Sequence, residues 1–302
     1  MRSCARIRPG IFATSLLLTI AFAQTGFPAP ITFSTALPVA DGQGIFRIQS
    51  KLIRSTQDPG TQDREVTVRA LPLVAAYGAT RRLAIFGIVP ILNKKLQINA
   101  TGVTRDTSGL GDITLLARYT AWKKDGPGRT TRLAPFIGIE APTGKDNEKD
   151  YLGTLPQTLQ PGSGSWDYTA GAVLTSQTFN RQIDVSVSHR INTEANDFEF
   201  GDETRLDLSW QKRVGPKTLG SGVPAFIYAV FESNLIYKQK NRTGGAEDRN
   251  SGGTAWFFAP GIQRVTKKTV MEAAVQVPVV QNLNGNSLEN DFTAILSFRV
   301  NL

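Results

Sequence analysis

From Ile183 to Ile191 the chain alternates with hardly a break. Ile183, Val185, Val187, His189 and Ile191 fall on one face of an extended backbone, and Asp184, Ser186, Ser188 and Arg190 on the other. A period of two marks a β-strand, because successive side chains leave opposite faces. The pattern recurs over Asp112 to Trp122, over Glu203 to Gln211, and at the end of the chain. There Phe292, Ala294, Leu296, Phe298, Val300 and Leu302 oppose Asp291, Thr293, Ile295, Ser297, Arg299 and Asn301. Twelve such segments follow one another, at 44–54, 65–77, 83–92, 111–122, 132–142, 166–176, 182–192, 202–213, 224–238, 254–265, 269–280 and 290–302. Most exceed the roughly 5–6 residues of a strand in a soluble protein. They match the roughly 9–11 that a tilted strand needs to cross a membrane.

The links between segments alternate in character. Gly78–Arg82, Gln177–Arg181 and Thr266–Lys268 are short, while Thr143–Ser165 and Gln239–Gly253 are long and polar. Links 123–131 and 214–223 are longer than this scheme asks of them. Short turns at one end and long loops at the other is the arrangement of an outer-membrane β-barrel. An even strand number puts both termini at the short-turn end, the periplasmic side. Thr143–Ser165 is then expected outside, or folded into the outer mouth. Trp122, Trp166, Tyr168, Trp210, Phe226, Tyr228, Tyr237, Trp256 and Phe258 lie mostly near segment ends, where aromatic girdles meet the membrane interfaces. The expected fold is all-β, a transmembrane up-and-down antiparallel barrel of about twelve strands over residues 44–302. A soluble periplasmic sandwich would need shorter strands.

Residues 1–23 read as a secretory signal peptide: Arg2, Arg6 and Arg8, an apolar Ile11–Phe22, then Ala21-Phe22-Ala23 as a cleavage motif. Export implies the outer membrane of a Gram-negative bacterium. Cys4, the single cysteine, leaves with the signal. Residues 24–43 read as a periplasmic linker or partial plug. Pro28, Pro30 and Pro38 resist strand pairing, and ordering twenty residues costs on the order of 20 kcal/mol or more. A mostly mobile tail is therefore expected, with at most Leu37 to Gln43 seated on the barrel.

Three runs carry a family resemblance. Ser108–Tyr119 (SGLGDITLLARY), Leu133–Asp146 (LAPFIGIEAPTGKD) and Leu155–Thr175 (LPQTLQPGSGSWDYTAGAVLT) resemble, in order and spacing, segments of the MetA-pathway of phenol degradation family. The resemblance implies a transporter-like outer-membrane barrel associated with uptake of aromatic compounds, and brings no catalytic or binding motif.

No enzyme is expected. Gly144-Lys145-Asp146 echoes a phosphate-binding loop, but the spacing is wrong and Asp146 stands where Ser or Thr belongs. His189 invites comparison with an outer-membrane phospholipase, yet Ile191 occupies the position of that family's serine. One Cys and one His leave no ligand set for a structural zinc, and no cofactor motif is present. The basic chain, of formal charge +9, has no clustered stripe for nucleic acid. The expected partners are outer-membrane lipids, the outer-membrane assembly machinery and a small-molecule solute. The assembly machinery would read the C-terminal strand, which ends in Leu302 where Phe is usual. No feature specifies an oligomeric state.

The function expected is a channel for small, aromatic or hydrophobic solutes. The alternative is a structural or interaction barrel with a filled lumen and ligand-binding outer loops. Twelve strands enclose a narrow lumen. The polar faces nominate as lumen-lining Arg47, Arg69, Arg118, Glu140, Asp184, Arg190, Glu203, Arg205, Asp207, Asp291 and Arg299, with Lys51, Glu232 and Glu272 beside them. Leu206, Leu208 and Trp210 should face lipid, so that Arg is costly at Leu208 and tolerated at Ser209.

Overall fold

The computed structural model describes residues 27–216 and 225–302. The signal peptide assigned to 1–23 and most of link 214–223 lie outside them. Twelve strands form the wall: β1 Gly44–Ser55, β2 Arg64–Gly78, β3 Leu83–Ile98, β4, β5 Arg129–Ala141, β6 Asp167–Thr178, β7 Arg181–Ile191, β8 Glu203–Gly215, β9 Phe226–Lys238, β10 Gly253–Val265, β11 Thr269–Leu283 and β12 Phe292–Asn301. Strand β4 runs in three successive pieces, Val103–Leu110, Ile113–Tyr119 and Trp122–Gly126. Every strand pairs antiparallel with its neighbours. Strand β12 returns to β1, from Ile45 opposite Asn301 to Arg54 opposite Phe292, and closes the barrel. Closure leaves no unpaired edge, which is what a β structure in hydrocarbon requires.

The even strand number brings the start of β1 and the end of the chain to one rim, where the Leu302 amide donates to the Gly44 carbonyl at 2.8 Å. We call this the terminal rim, and the opposite one the loop rim. The alternation sorts as read. Leu206, Leu208 and Trp210 are 49%, 46% and 42% exposed on the outer face, while Asp207, Ser209 and Gln211 between them are buried.

Three expectations change. The link between β3 and β4 is not a loop: Leu96 to Ile98 and Val103 to Arg105 continue the ladder around a tight turn at Asn99–Gly102. Beyond the membrane both faces of a strand can be polar, so hydrophobic alternation fades while the hydrogen-bonded ladder goes on. Link 123–131 shortens likewise, because Trp122–Gly126 pairs with β5. The aromatic girdle also loses two members. Tyr228 is buried with Val265 and Val270, and Phe226 packs against that cluster. Trp210, Phe231 and Phe258 instead form an outward stack with centroids 5.6 and 6.2 Å apart.

The Pro142–Trp166 connection between β5 and β6 folds over the loop rim. Its Gln160 side chain is buried and bonds Glu148 and Leu155 of the same connection. Asp112 accepts from the amides of Gly144 and Ser163 at 2.8 and 2.6 Å. Arg105 grips Asp150 at 2.7 Å, and this guanidinium hydrogen bond holds the Asp150 carboxyl below its ordinary pKa. The clamp therefore stands at neutral pH and opens only as pH falls through that lowered value. Where the two arms of the connection cross, a Cβ on Gly162 would lie 2.6 Å from the Gly144 backbone. The Gly144-Lys145-Asp146 motif is thus explained by close backbone approach. Gly162→Ala should cost about 1–3 kcal/mol through overpacking, read as a lower thermal unfolding midpoint.

Candidate functional site

The lumen is the candidate site, and it has a floor, a charged wall and an apolar wall. The floor is the N-terminal segment. It enters at the terminal rim, where Arg299 donates to the Phe27 carbonyl. Gln263 donates to the Ala29 carbonyl. Ile31 is 1% exposed, packed among Val230, Ala274 and Ile295. Gly261 makes the socket, since a Cβ there would come within 2.8 Å of the Ile31 side chain.

Two buried side chains on different parts of the wall then hold the crossing. Glu232 of β9 accepts from the amides of Ile31 and Thr32 at 2.6 and 2.9 Å, and from the Thr32 hydroxyl. Arg118 of β4 donates to the Ser34 hydroxyl at 2.7 Å and to the carbonyls of Thr35 and Leu37, its guanidinium lying over the Phe86 ring. Between them the Ala36 amide donates to Thr175 Oγ1, which in turn donates to Asp184. Val39 packs against Ala76 and Ala84, and Asp41 forms a bridge with Gly78 at the terminal rim.

The segment is therefore seated along its described length, which corrects the expectation that only Leu37 to Gln43 touch the barrel. Apolar burial alone does not offset the entropy of ordering the segment. The partners are wall side chains. The prolines help rather than hinder, because each removes a backbone donor that the lumen would have to satisfy and restricts the unfolded chain.

The charged wall collects most of the nominated residues. Arg190 bonds Glu140 and, at 2.8 Å, Asp167. Arg205 reaches Asp207 at 3.3 Å and Glu203 at 3.6 Å, and Lys238 reaches Glu203 at 3.0 Å. Asp207 also accepts from Asn234, and Asp184 from Gln182 and Gln211. Arg47 pairs with Glu272 at 2.6 Å and supports the floor through the Ile31 carbonyl. Lys51 shares the inward face of β1 with Arg47 and Gln49, and forms no ion pair among the described residues.

Two nominations are corrected. Arg69 faces outward, in register with the exposed Leu52. Glu65, Thr67 and Arg69 alternate with Val66 and Val68, but toward the loop rim the polar face of β2 is the outward one. Asp291 belongs to the loop-rim turn before β12, where its amide bonds Arg54 and its carboxylate accepts from Thr56.

The apolar wall was missed. Above the floor lies a cavity of about 810 Å³, opening toward the loop rim, into which Ile88, Pro90 and Leu92 of β3 project opposite Arg190, Glu203 and Lys238. Ile236 and Phe257 add to its apolar lining. The signal was present in Leu71–Tyr77 and Leu83–Leu92, where nearly every residue is apolar. In a barrel, loss of alternation means that the inner face is apolar too.

A closed antiparallel barrel with an apolar outer belt, a polar interior and a segment lodged across its lumen defines an outer-membrane β-barrel of channel-like construction. The chain belongs to the family described as putative MetA-pathway of phenol degradation, which matches residues 61–280. Among solved structures it is similar to the COG4313 outer membrane channel from Pseudomonas putida F1, at 16% identity and a TM-score of 0.70, covering 88% of this chain and 98% of that one. It is less similar to the transport unit of the autotransporter AIDA-I from Escherichia coli, at 11% identity and a TM-score of 0.49, covering 90% and 94%. The β domain of the Bordetella autotransporter BrkA scores 0.45 at 14% identity, covering 87% and 100%. No curated protein matches the chain.

Proposed function

We propose that the protein conducts small solutes, aromatic or hydrophobic ones among them, across the outer membrane, with its loop rim outside and its terminal rim in the periplasm. The cavity above the floor carries the reading. Its apolar β3 wall suits a ring or short alkyl group, and the charged groups opposite suit a polar substituent. The family's description supports an aromatic solute, and the channel of known structure supports conduction. The role is passive and non-catalytic: His189 faces outward and bonds Thr204, and the buried carboxylates hold hydrogen bonds within the wall and floor.

The test is conductance of the purified protein in a planar bilayer, with and without an aromatic acid such as benzoate. A small conductance that benzoate lowers is the expected result. Silence both in the whole chain and after removal of the floor would favour the second reading, a filled interaction barrel, which the hydrogen-bonded crossing of the lumen supports. Orientation has its own test. A thiol introduced by Asn147→Cys, in a processed chain otherwise free of cysteine, should react with an impermeant reagent on intact cells. Labelling only after the outer membrane is opened would invert the topology. Export by the signal peptide and insertion by the assembly machinery belong to the same reading.

A further inference from the structure

We propose that the outer face of β2–β4, at the loop rim, binds a phosphorylated sugar lipid of the outer leaflet. The inference rests on the orientation given above. The register shows where hydrocarbon ends. Leu71, Ile91 and Leu110 stand in one outward row across the three strands, with Ile91 40% and Leu110 56% exposed. The next row toward the loop rim is Arg69, Asn93 and Ser108, and the row after it Thr67, Lys95 and Asp106. Rows are two residues apart, about 7 Å along a strand, so the change from aliphatic to polar is abrupt and falls at headgroup depth.

The chemistry at that depth is selective. Arg54, beside Thr67 in the second polar row, is spent on Glu65 at 2.6 Å. Arg69 keeps one long bond of 3.4 Å to Asn93, and neither it nor Lys95 forms an ion pair among the described residues. Two available cations meet a phosphate, while Asn93, Ser108 and the Asp106 carboxylate meet sugar hydroxyls. A bare anion site would have no use for a carboxylate. Strand β4 continues down the wall from this patch. There its Leu115 and Ala117, with Ile85, Ile137, Tyr168 and Ile191, line an apolar groove of about 510 Å³ on the outward surface, suited to an acyl chain. Headgroup patch and chain groove share one strand.

The experiment uses the full chain in detergent, incubated with lipid A, phosphatidylglycerol or inorganic phosphate. Bound lipid per barrel is measured by native mass spectrometry. Wild-type protein should retain lipid A over phosphatidylglycerol, and inorganic phosphate at equal concentration should not displace it. The double substitution Arg69→Ala with Lys95→Ala should lower lipid A retention about tenfold or more, given the contribution of each cation near an anionic lipid surface. Arg69→Lys should retain most of it. Heat-modifiable folding and planar-bilayer conductance of these variants should match wild type. Unchanged retention in the double variant, equal retention of phosphatidylglycerol, or displacement by phosphate would each overturn the assignment. Should the double variant fail to fold, Arg69→Gln alone carries the same comparison. Conductance is read separately, so a silent barrel that still binds lipid A would refute the channel reading and leave this one standing.

Discussion

Deleting Phe27 to Ala36 should raise single-channel conductance several-fold and leave a folded, heat-modifiable barrel. The wall does not need the segment: closure runs through the β12–β1 ladder, which begins only at Gly44. The lumen does need it to be obstructed, because the chain crosses from Glu232 on β9 to Arg118 on β4 and back to the terminal rim. Removing it strands Glu232 and leaves Arg118 only the Leu37 carbonyl of its floor partners. In a dry interior, losing the partner of a buried charge costs about 3–5 kcal/mol. Here water enters the vacated lumen and rehydrates them, so the loss of stability is smaller. A milder version keeps the chain and removes one clamp. Glu232→Ala deletes the acceptor of three hydrogen bonds from the floor and should raise the frequency of open events without abolishing the closed level. Conductance unchanged by the deletion would show that the obstruction lies elsewhere, and the Pro142–Trp166 connection would be the next candidate.

Leu208→Arg should destabilise the barrel by about 2–4 kcal/mol, the cost of a cation on the lipid face near mid-membrane, read as a lower denaturant midpoint in bilayers or micelles. The neighbouring Ser209→Arg should act differently. Alternation alone expects tolerance there, since the inner face is polar. The structure fills that space: Ser209 is fully buried, donates to Glu232 at 3.2 Å and accepts from Gln211 at 3.0 Å. A guanidinium would displace Thr32 and Ile31 from Glu232, so the wall stays folded while the floor is unseated and conductance rises. Loss of folded barrel in Ser209→Arg alone, with Leu208→Arg intact, would reverse the assigned faces.

The strand pattern was legible because the membrane imposes a strict rule. A strand with lipid on one side and polar groups on the other must alternate, as Glu203–Gln211 and Phe292–Asn301 do. The rule lapses at both ends of that requirement: past the hydrocarbon, Glu65, Thr67 and Arg69 alternate with Val66 and Val68 but turn their polar face outward. Leu71–Tyr77 is apolar on both sides because β2 has lipid outside and an apolar lumen wall inside. The upper hairpin of β3 and β4 is polar on both sides because it has left the membrane.

The sequence by itself determined the strands, their count, the even parity that puts both ends at one rim, and most of the lumen-facing charges. These follow from local periodicity and from the fixed thickness of a bilayer. The tertiary structure decided which charges meet and what fills the space between them. That Arg190 finds Glu140 and Asp167, fifty and twenty-three residues away, depends on the register of β5, β6 and β7, which places Asp167 opposite Glu140 and Arg190 opposite Thr169. The fate of the N-terminal segment lay further still from view. Apart from Arg47 and Gln49, which reach the Ile31 carbonyl from nearby in the chain, the side chains that hold it include Arg118, Glu232 and Arg299, from 84 to 272 residues distant, and no period along the chain records which inward residue will face which carbonyl across a lumen.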